Sequence, residues 1–216
     1  MNKAEKLKRF QELLERTNKK INLVSRRLTR ADLEKHVEDC LEFAKYWDAS
    51  GRLVADIGSG GGLPGIVLAI VFPEGMFNLI ESDGKKSSFL MMAAEELGLR
   101  NVQVVTRRVE MVARDEEYRG RHDFATVRAV ASLSVVVEYG LPLLRVGGLL
   151  VCWKGRNCDV EIQQAERALV ETGGRLEERK GYFLVGSQRY LLAIRKVRET
   201  PLIYPRRVGV PEKRPL

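Results

Sequence analysis

The first part of the chain repeats its apolar positions at helical spacing. In KAEKLKRFQELLERTN, Leu7, Phe10, Leu13 and Leu14 fall on one face. In TRADLEKHVEDCLEFAKYW the same holds for Leu33, Val37, Cys40, Leu41 and Ala44, with Thr29 or Asp32 available near the N-terminus. KKINLVSRRL, between the two, reads as a basic connector. From Leu53 the period changes to short apolar runs, LVADI, FNLIES, VQVVT, DFATVRA and GLLVCWK, which predict five strands. The segments between them read as helices or helical turns beginning near Pro64, Lys85, Val109, Ser134 and Asp159, the third being the weakest pattern. Strand and helix in alternation predict a parallel sheet covered on both faces. RLEERKGYFLV and QRYLLAIRK, separated by Gly-Ser, predict an antiparallel hairpin. Three parts follow: a helical extension over 1–50, an α/β domain over 51–198, and a basic, proline-containing tail over 199–216.

At 216 residues the chain suits one buried domain with at most a small appendage. No apolar run approaches the ~18–20 residues of a membrane helix, and the first twenty residues are too charged for a secretory signal. A cytoplasmic protein away from membranes is expected, and a monomer, since no spare apolar surface stands out. Three cysteines and two histidines, without ligand spacing, give no disulfide framework and no expected metal site. The net charge of +8 is unevenly spread: residues 1–30 carry +7 and residues 195–216 carry +5, leaving −4 between. Basic ends suggest a polyanionic partner. Lys19, Lys20, Arg26, Arg27 and Arg30 in the connector, with Arg206, Arg207, Lys213 and Arg214 in the tail, are the candidate nucleic-acid contacts. Prolines 201, 205, 211 and 215 disfavour a continuous tail helix, so the tail is expected to lie extended over the domain or to become ordered on RNA.

The candidate chemistry centres on VADIGSGGGLPG, residues 54–65, where Gly60, Gly62 and Gly65 satisfy G-x-G-x-x-G after a strand and before a helix. Alone, that pattern says only that backbone approaches a ligand at the carboxyl edge of a sheet. Glu81 and Asp83 end the next strand, where a carboxylate holds a ribose diol, and this suits NAD and S-adenosylmethionine equally. Asp56 within the turn would repel a pyrophosphate and attract a sulfonium and an ammonium, which favours S-adenosylmethionine. A sheet ending in an antiparallel hairpin agrees with a Rossmann-like S-adenosylmethionine-dependent methyltransferase fold.

Nearly the whole chain resembles the bacterial 16S ribosomal RNA guanine-N7 methyltransferases, the glucose-inhibited division protein B family. The resemblance rests on NLVS at 22–25, HVEDCL at 36–41, DIGSGGGLPGI at 56–66, SDGKKSSFL at 82–90, RVE at 108–110, VRAVASL at 127–133, WKG at 153–155 and the tail YPRRVGVPEKRPL. Cys40 stands where serine is usual. The resemblance implies S-adenosyl-L-methionine as cofactor, 16S ribosomal RNA or the small-subunit particle as partner, and cofactor contacts at Gly58, Leu63, Val109, Glu110 and Arg128. Asp56, Gly60, Glu81 and Asp83 join that set from the residues themselves. Arg128 could pair with Asp56, bind a methionine carboxylate or contact a phosphate. Arg128 and Lys154 are the expected positioning residues. His36 and Asp39, one helical turn apart, either order the N-terminal helices or touch RNA.

Guanine N7 exposes a lone pair, so its methylation requires alignment and no general base. The chain accordingly lacks an Asn- or Asp-Pro-Pro-aromatic motif and a Pro-Cys nucleophile. The competing classes are a nicotinamide-dependent oxidoreductase and a non-catalytic RNA-binding protein.

Overall fold

The structure, a computed structural model, describes residues 1–25 and 29–216. A seven-stranded sheet forms from β1 (Leu53–Ile57), β2 (Met76–Ile80), β3 (Val102–Val105), β4 (His122–Arg128), β5 (Leu144–Lys154), β6 (Gly174–Leu184) and β7 (Ser187–Lys196). Their order is β3-β2-β1-β4-β5-β7-β6. The first five are parallel, and β7 runs antiparallel between β5 and β6. The chain moves outward from β1 to β3 and returns to β4 on the other side of β1. The loops leaving β1 and β4 therefore part in opposite directions, and open α/β sheets place their ligand crevice at such a point.

Helices α1 (Lys3–Asn18), α2 (Arg30–Leu41), α3 (Gly65–Val71) and α4 (Gly84–Glu96) share one face of the sheet. Phe10, Leu13, Leu14, Leu33, Val37 and Cys40 join the same apolar cluster as α3 and α4. Both N-terminal helices start with capping boxes, Asn2 with Glu5 and Thr29 with Asp32, which satisfy otherwise unpaired amides. Ala44, expected on the apolar face of α2, is exposed. The helix stops at Leu41 and the chain tightens into a 3-10 turn over Glu42–Lys45, which breaks the period. The opposite face is covered by the single turn α5 (Val109–Val112), by α6 (Leu133–Gly140), α7 (Cys158–Gln164) and α8 (Glu166–Thr172), around Tyr139, Leu143 and Leu192.

The tail lies over the domain and ends in a one-turn helix, α9 (Val210–Lys213). Arg119 donates to the carbonyls of Thr200 and Tyr204 at 2.9 and 2.8 Å, and Arg114 to that of Pro205 at 2.8 Å. Among the described residues no helix is long and apolar enough to cross a membrane.

Candidate active site

The loop after β1 turns sharply at Gly58, whose φ is +66°. A Cβ there would stand 2.6 Å from Cγ2 of Val130, which belongs to the loop after β4. Only glycine lets the two loops meet without strain. The loops bound a cleft of about 760 Å³ at the carboxyl ends of β1, β4 and β5. Gly58, Glu81, Ser82 and Val130 also line a smaller chamber of about 80 Å³, whose far wall is Val109, Glu110, Tyr139 and Glu212. Cleft and chamber are adjacent, with these four residues between them. Another cavity of about 680 Å³, beside Trp47 and Pro73, lies at the amino ends of β1 and β2, away from these loops.

Asp56 requires a correction. Its side chain has no exposed surface and turns away from the cleft: Oδ1 accepts from Thr126 Oγ1 at 2.8 Å and Oδ2 from the Gly65 amide at 3.2 Å. A Cβ on Gly65 would meet Oδ2 at 2.5 Å, so that glycine permits the contact. Burial raises the Asp56 carboxyl to about 6 against these hydrogen bonds. Asp56 ties the loop and α3 to β4, and cannot attract a ligand's charge by contact.

Glu81 is buried and holds the loop from outside, accepting from the Gly60 amide at 2.9 Å and the Asp83 amide at 2.8 Å. Asp83 is exposed and caps α4 through the amides of Lys85 and Lys86, which lower its carboxyl. Leu63 lines the cleft. Val109 and Glu110 line the chamber, where Glu110 accepts from the Gly209 amide at 2.9 Å and Tyr139 Oη at 3.3 Å.

Arg128 lies in the cleft, and its partner is Asp39, not Asp56: Nε donates to Asp39 Oδ2 at 2.8 Å. Its terminal nitrogen donates to His36 Nδ1 at 2.6 Å. A guanidinium has only donors, so Nδ1 supplies a lone pair and the imidazole proton sits on Nε2. Burial, and then the charge of Arg128, lower the His36 pKa and keep the ring neutral. Asp39 is 1% exposed; Tyr182 Oη donates to its other oxygen and Trp153 Nε1 to its carbonyl at 2.7 Å. Lys154, 9% exposed, donates to Glu161 at 2.6 Å and the Ala131 carbonyl at 3.1 Å. Glu161 also accepts from the Leu133 amide at 3.0 Å, the first of α6.

Of the expected nucleic-acid contacts, Lys19, Lys20, Arg30, Arg207, Lys213 and Arg214 are exposed. Arg26 and Arg27 lie outside the described residues. Arg206 is corrected: its guanidinium grips Glu138, which has no exposed surface, through Nε at 3.0 and 3.1 Å and a terminal nitrogen at 2.7 Å. It anchors the tail and is not a free cation. Sequence reasoning missed Val130, Glu161 and Tyr182. Glu161 carried one signal, its place seven residues beyond Lys154 on the next helix.

The sequence profile described as rRNA small subunit methyltransferase G (GidB) matches residues 3–183. The chain is 48% identical to the Ribosomal RNA small subunit methyltransferase G of Syntrophomonas wolfei over 97% of its own length and 98% of that protein. It is 42% identical to the protein of the same name from Roseiflexus castenholzii, over 98% and 91% of the two chains. Among solved structures, M. jannaschii TYW2 in complex with AdoMet superposes with a TM-score of 0.58 at 14% identity, over 76% of this chain and 77% of that one. P. horikoshii TYW2 in complex with MeSAdo gives 0.58 at 16% identity, over 74% and 62%. These two establish likeness of fold.

Proposed function

The chain belongs to the rRNA small subunit methyltransferase G (GidB) family, and from that premise we propose that it methylates N7 of a guanine in 16S ribosomal RNA with S-adenosyl-L-methionine. It is an S-adenosylmethionine-dependent rRNA methyltransferase with a Rossmann-like sheet and a terminal hairpin. The observation that carries the cofactor assignment within this chain is the glycine cradle. Gly58 lines both cleft and chamber, and a Cβ there would press at 2.6 Å on Val130, which lines both as well. The chamber's polar wall, Glu110 and the backbone at Val109, suits an adenine, and the cleft takes the methionine end and the acceptor. Gly58, Gly60, Leu63, Val109, Glu110 and Arg128 would line that ligand; Glu81, which lines both cavities, would reach its ribose, whereas Asp83 lines neither and caps α4.

The cofactor supplies an electrophilic methyl group on a sulfonium. The protein's part is to align, to exclude water and to bind the acceptor. Each carboxylate lining the cleft is committed to a fixed donor: Asp39 to Arg128 and Tyr182, Glu81 to two amides, Glu161 to Lys154 and an amide. The lone pair of His36 is committed to Arg128. Such a cleft suits an acceptor that attacks without first losing a proton, as guanine N7 does. Arg128 and Lys154 act by position, with His36 Nε2–H as a further donor. Residues 1–50 supply one wall of the cleft through Leu23, Val24, Ser25, His36 and Asp39; 51–198 form the catalytic domain; 199–216 reach the chamber through Glu212. Lys19, Lys20, Arg30, Arg207, Lys213 and Arg214 would meet RNA outside the cleft, and the basic connector's Arg26 and Arg27, outside the described residues, are proposed as RNA contacts from the sequence alone.

The test is incubation of the purified chain with isotopically labelled S-adenosylmethionine and unmodified small subunits or their RNA, followed by mass mapping of nucleotides. Label in 7-methylguanosine is expected. Label in another nucleotide would remove the N7 assignment, and calorimetric binding of NAD in place of the adenosyl cofactor would favour the oxidoreductase class.

A further inference from the structure

Of the described side-chain atoms, two are buried polar atoms without a hydrogen-bond partner, and one of them, Arg189 Nε, belongs to a residue lining the cleft. Arg189 lies at the start of β7, paired in register with Tyr182 of β6. Its neighbour Tyr190 pairs with Lys154, the last residue of β5, so Arg189 stands just beyond the cleft end of that strand. It forms no ion pair among the described residues. Neither carboxylate beside Tyr182 is a hydrogen-bond partner of Arg189: Asp39 accepts from Arg128 and Tyr182, and Glu42, whose Oε2 is the other unpartnered atom, accepts from Lys45 through Oε1. Four cations line the cleft, Lys86, Arg128, Lys154 and Arg189, against three carboxylates, Asp39, Glu81 and Glu161. Arg128 and Lys154 have their carboxylates; Lys86 and Arg189 have none among the described residues, and of these two only Arg189 has a buried nitrogen without a partner. A buried donor left unpaired is costly and calls for a ligand.

The ligand is an anion, because a guanidinium offers only donors, in a planar fork that matches a phosphate or carboxylate. Sheet order places Arg189 on the acceptor side. The adenine chamber opens beside β1, and β7 is three strands away, roughly 14 Å at a strand spacing of ~4.8 Å. His36, also in the cleft, adds a neutral N–H donor. We propose that Arg189 anchors the RNA strand, its guanidinium taking a backbone phosphate beside the nucleotide that enters the cleft. This rests on the methyltransferase reading above and adds to it the residue that holds the acceptor strand in register.

The test uses the full chain with Arg189→Met, which keeps an apolar stem, and Arg189→Lys, which keeps the charge without the fork. Each is titrated with a single-stranded oligoribonucleotide at several salt concentrations and with S-adenosylhomocysteine, and its melting temperature is recorded. Arg189→Met should bind RNA about tenfold or more weakly and flatten the log–log salt slope by roughly 0.7, the value of one phosphate contact on a single strand. S-adenosylhomocysteine affinity should stay unchanged, and melting should stay or rise, since an orphaned donor has gone. Arg189→Lys should recover the slope but only part of the affinity. With methylation as readout, KM for RNA should rise while kcat holds. Loss of S-adenosylhomocysteine affinity with an unchanged salt slope would overturn the proposal and assign the guanidinium to the cofactor's carboxylate. A drop in melting temperature with unchanged RNA binding would overturn it in favour of a structural role. If the wild-type chain failed to bind S-adenosylhomocysteine, the methyltransferase reading would fall on its own, separately from the comparison of RNA slopes.

Discussion

Replacing Arg206 by Ala decides whether this tail cation serves RNA or the fold. Glu138, on α6, has no exposed surface and takes four contacts from three donors of one residue: the Arg206 amide at 2.7 Å, Nε at 3.0 and 3.1 Å, and a terminal nitrogen at 2.7 Å. In the variant only the amide remains, and a buried carboxylate loses its counter-charge. Removing one partner of a buried pair costs about 3–5 kcal/mol. The Arg206 side chain is 25% exposed, so water compensates in part and the lower end, about 3 kcal/mol, applies. For a chain of this size each kcal/mol lowers the melting temperature by about 2–4 °C, which gives a drop of roughly 6–12 °C. Arg207→Ala is the control, being exposed and without an ion pair among the described residues. It should melt within ~0.5 kcal/mol of wild type and flatten the RNA salt slope by roughly 0.7. Thermal melts and RNA titrations on the same preparations read both quantities. An Arg206→Ala chain that melts like wild type while flattening the salt slope would refute the structural assignment. The double variant Arg206→Met with Glu138→Leu should recover much of the lost stability, since an apolar pair of similar volume avoids the stranded charge.

Three further outcomes follow from the site. Gly58→Ala puts a side chain at φ +66° and 2.6 Å from Val130, which is 37% exposed and will yield into the cleft. Stability should fall by only about 1–2 kcal/mol, but calorimetry should show S-adenosylmethionine affinity falling by far more, and equal losses would refute the cradle. Asp56 titrates near 6 in the folded chain, above its ordinary value of 3.8. Between those two values the native state holds a proton that the unfolded state releases, so this residue's contribution to stability rises as pH falls from about 7 towards 4, by at most about 3 kcal/mol. Urea denaturation of wild type and Asp56→Asn across that range should show this slope in the difference between the two, since His36 and His122, whose pKa values are lowered, contribute the opposite slope to both. Tyr182→Phe leaves Asp39 Oδ1 buried without a donor, and urea denaturation should show a loss of about 1–3 kcal/mol, accompanied by slower methylation as Arg128 and His36 loosen.

The architecture was legible because its signals are local. The change of period at Leu53, the Gly-Ser between two extended runs and the capping residues Thr29 and Asp32 each sit within a few residues of what they specify. Partners of charged groups are not local. Arg128 meets Asp39 across 89 residues, Tyr182 meets Asp39 across 143, and Arg206 meets Glu138 across 68. In sequence, a solvated arginine and one locked onto a buried carboxylate look the same. Asp56 was misread for a related reason: both faces of a central parallel strand are covered, so alternation along LVADI cannot tell which way a polar side chain turns.

These pairings change what the charge distribution means. A cleft that must admit a cationic methyl donor and a polyanionic strand gains little from a large net charge of either sign, because each sign repels one ligand. Here Arg128 and Lys154 are matched by Asp39 and Glu161, and Glu81 is spent on two amides, so that most cleft charge is neutralised in place and survives as directed donors. Attraction over distance is left to the exposed cations of the two ends, such as Lys19, Lys20, Arg207 and Lys213. Salt screens such attraction strongly but leaves short, partly buried contacts largely intact. Encounter with RNA and alignment of its base are thereby assigned to different residues, and ionic strength can separate them: raising it should slow association far more than it slows methyl transfer once the strand is bound.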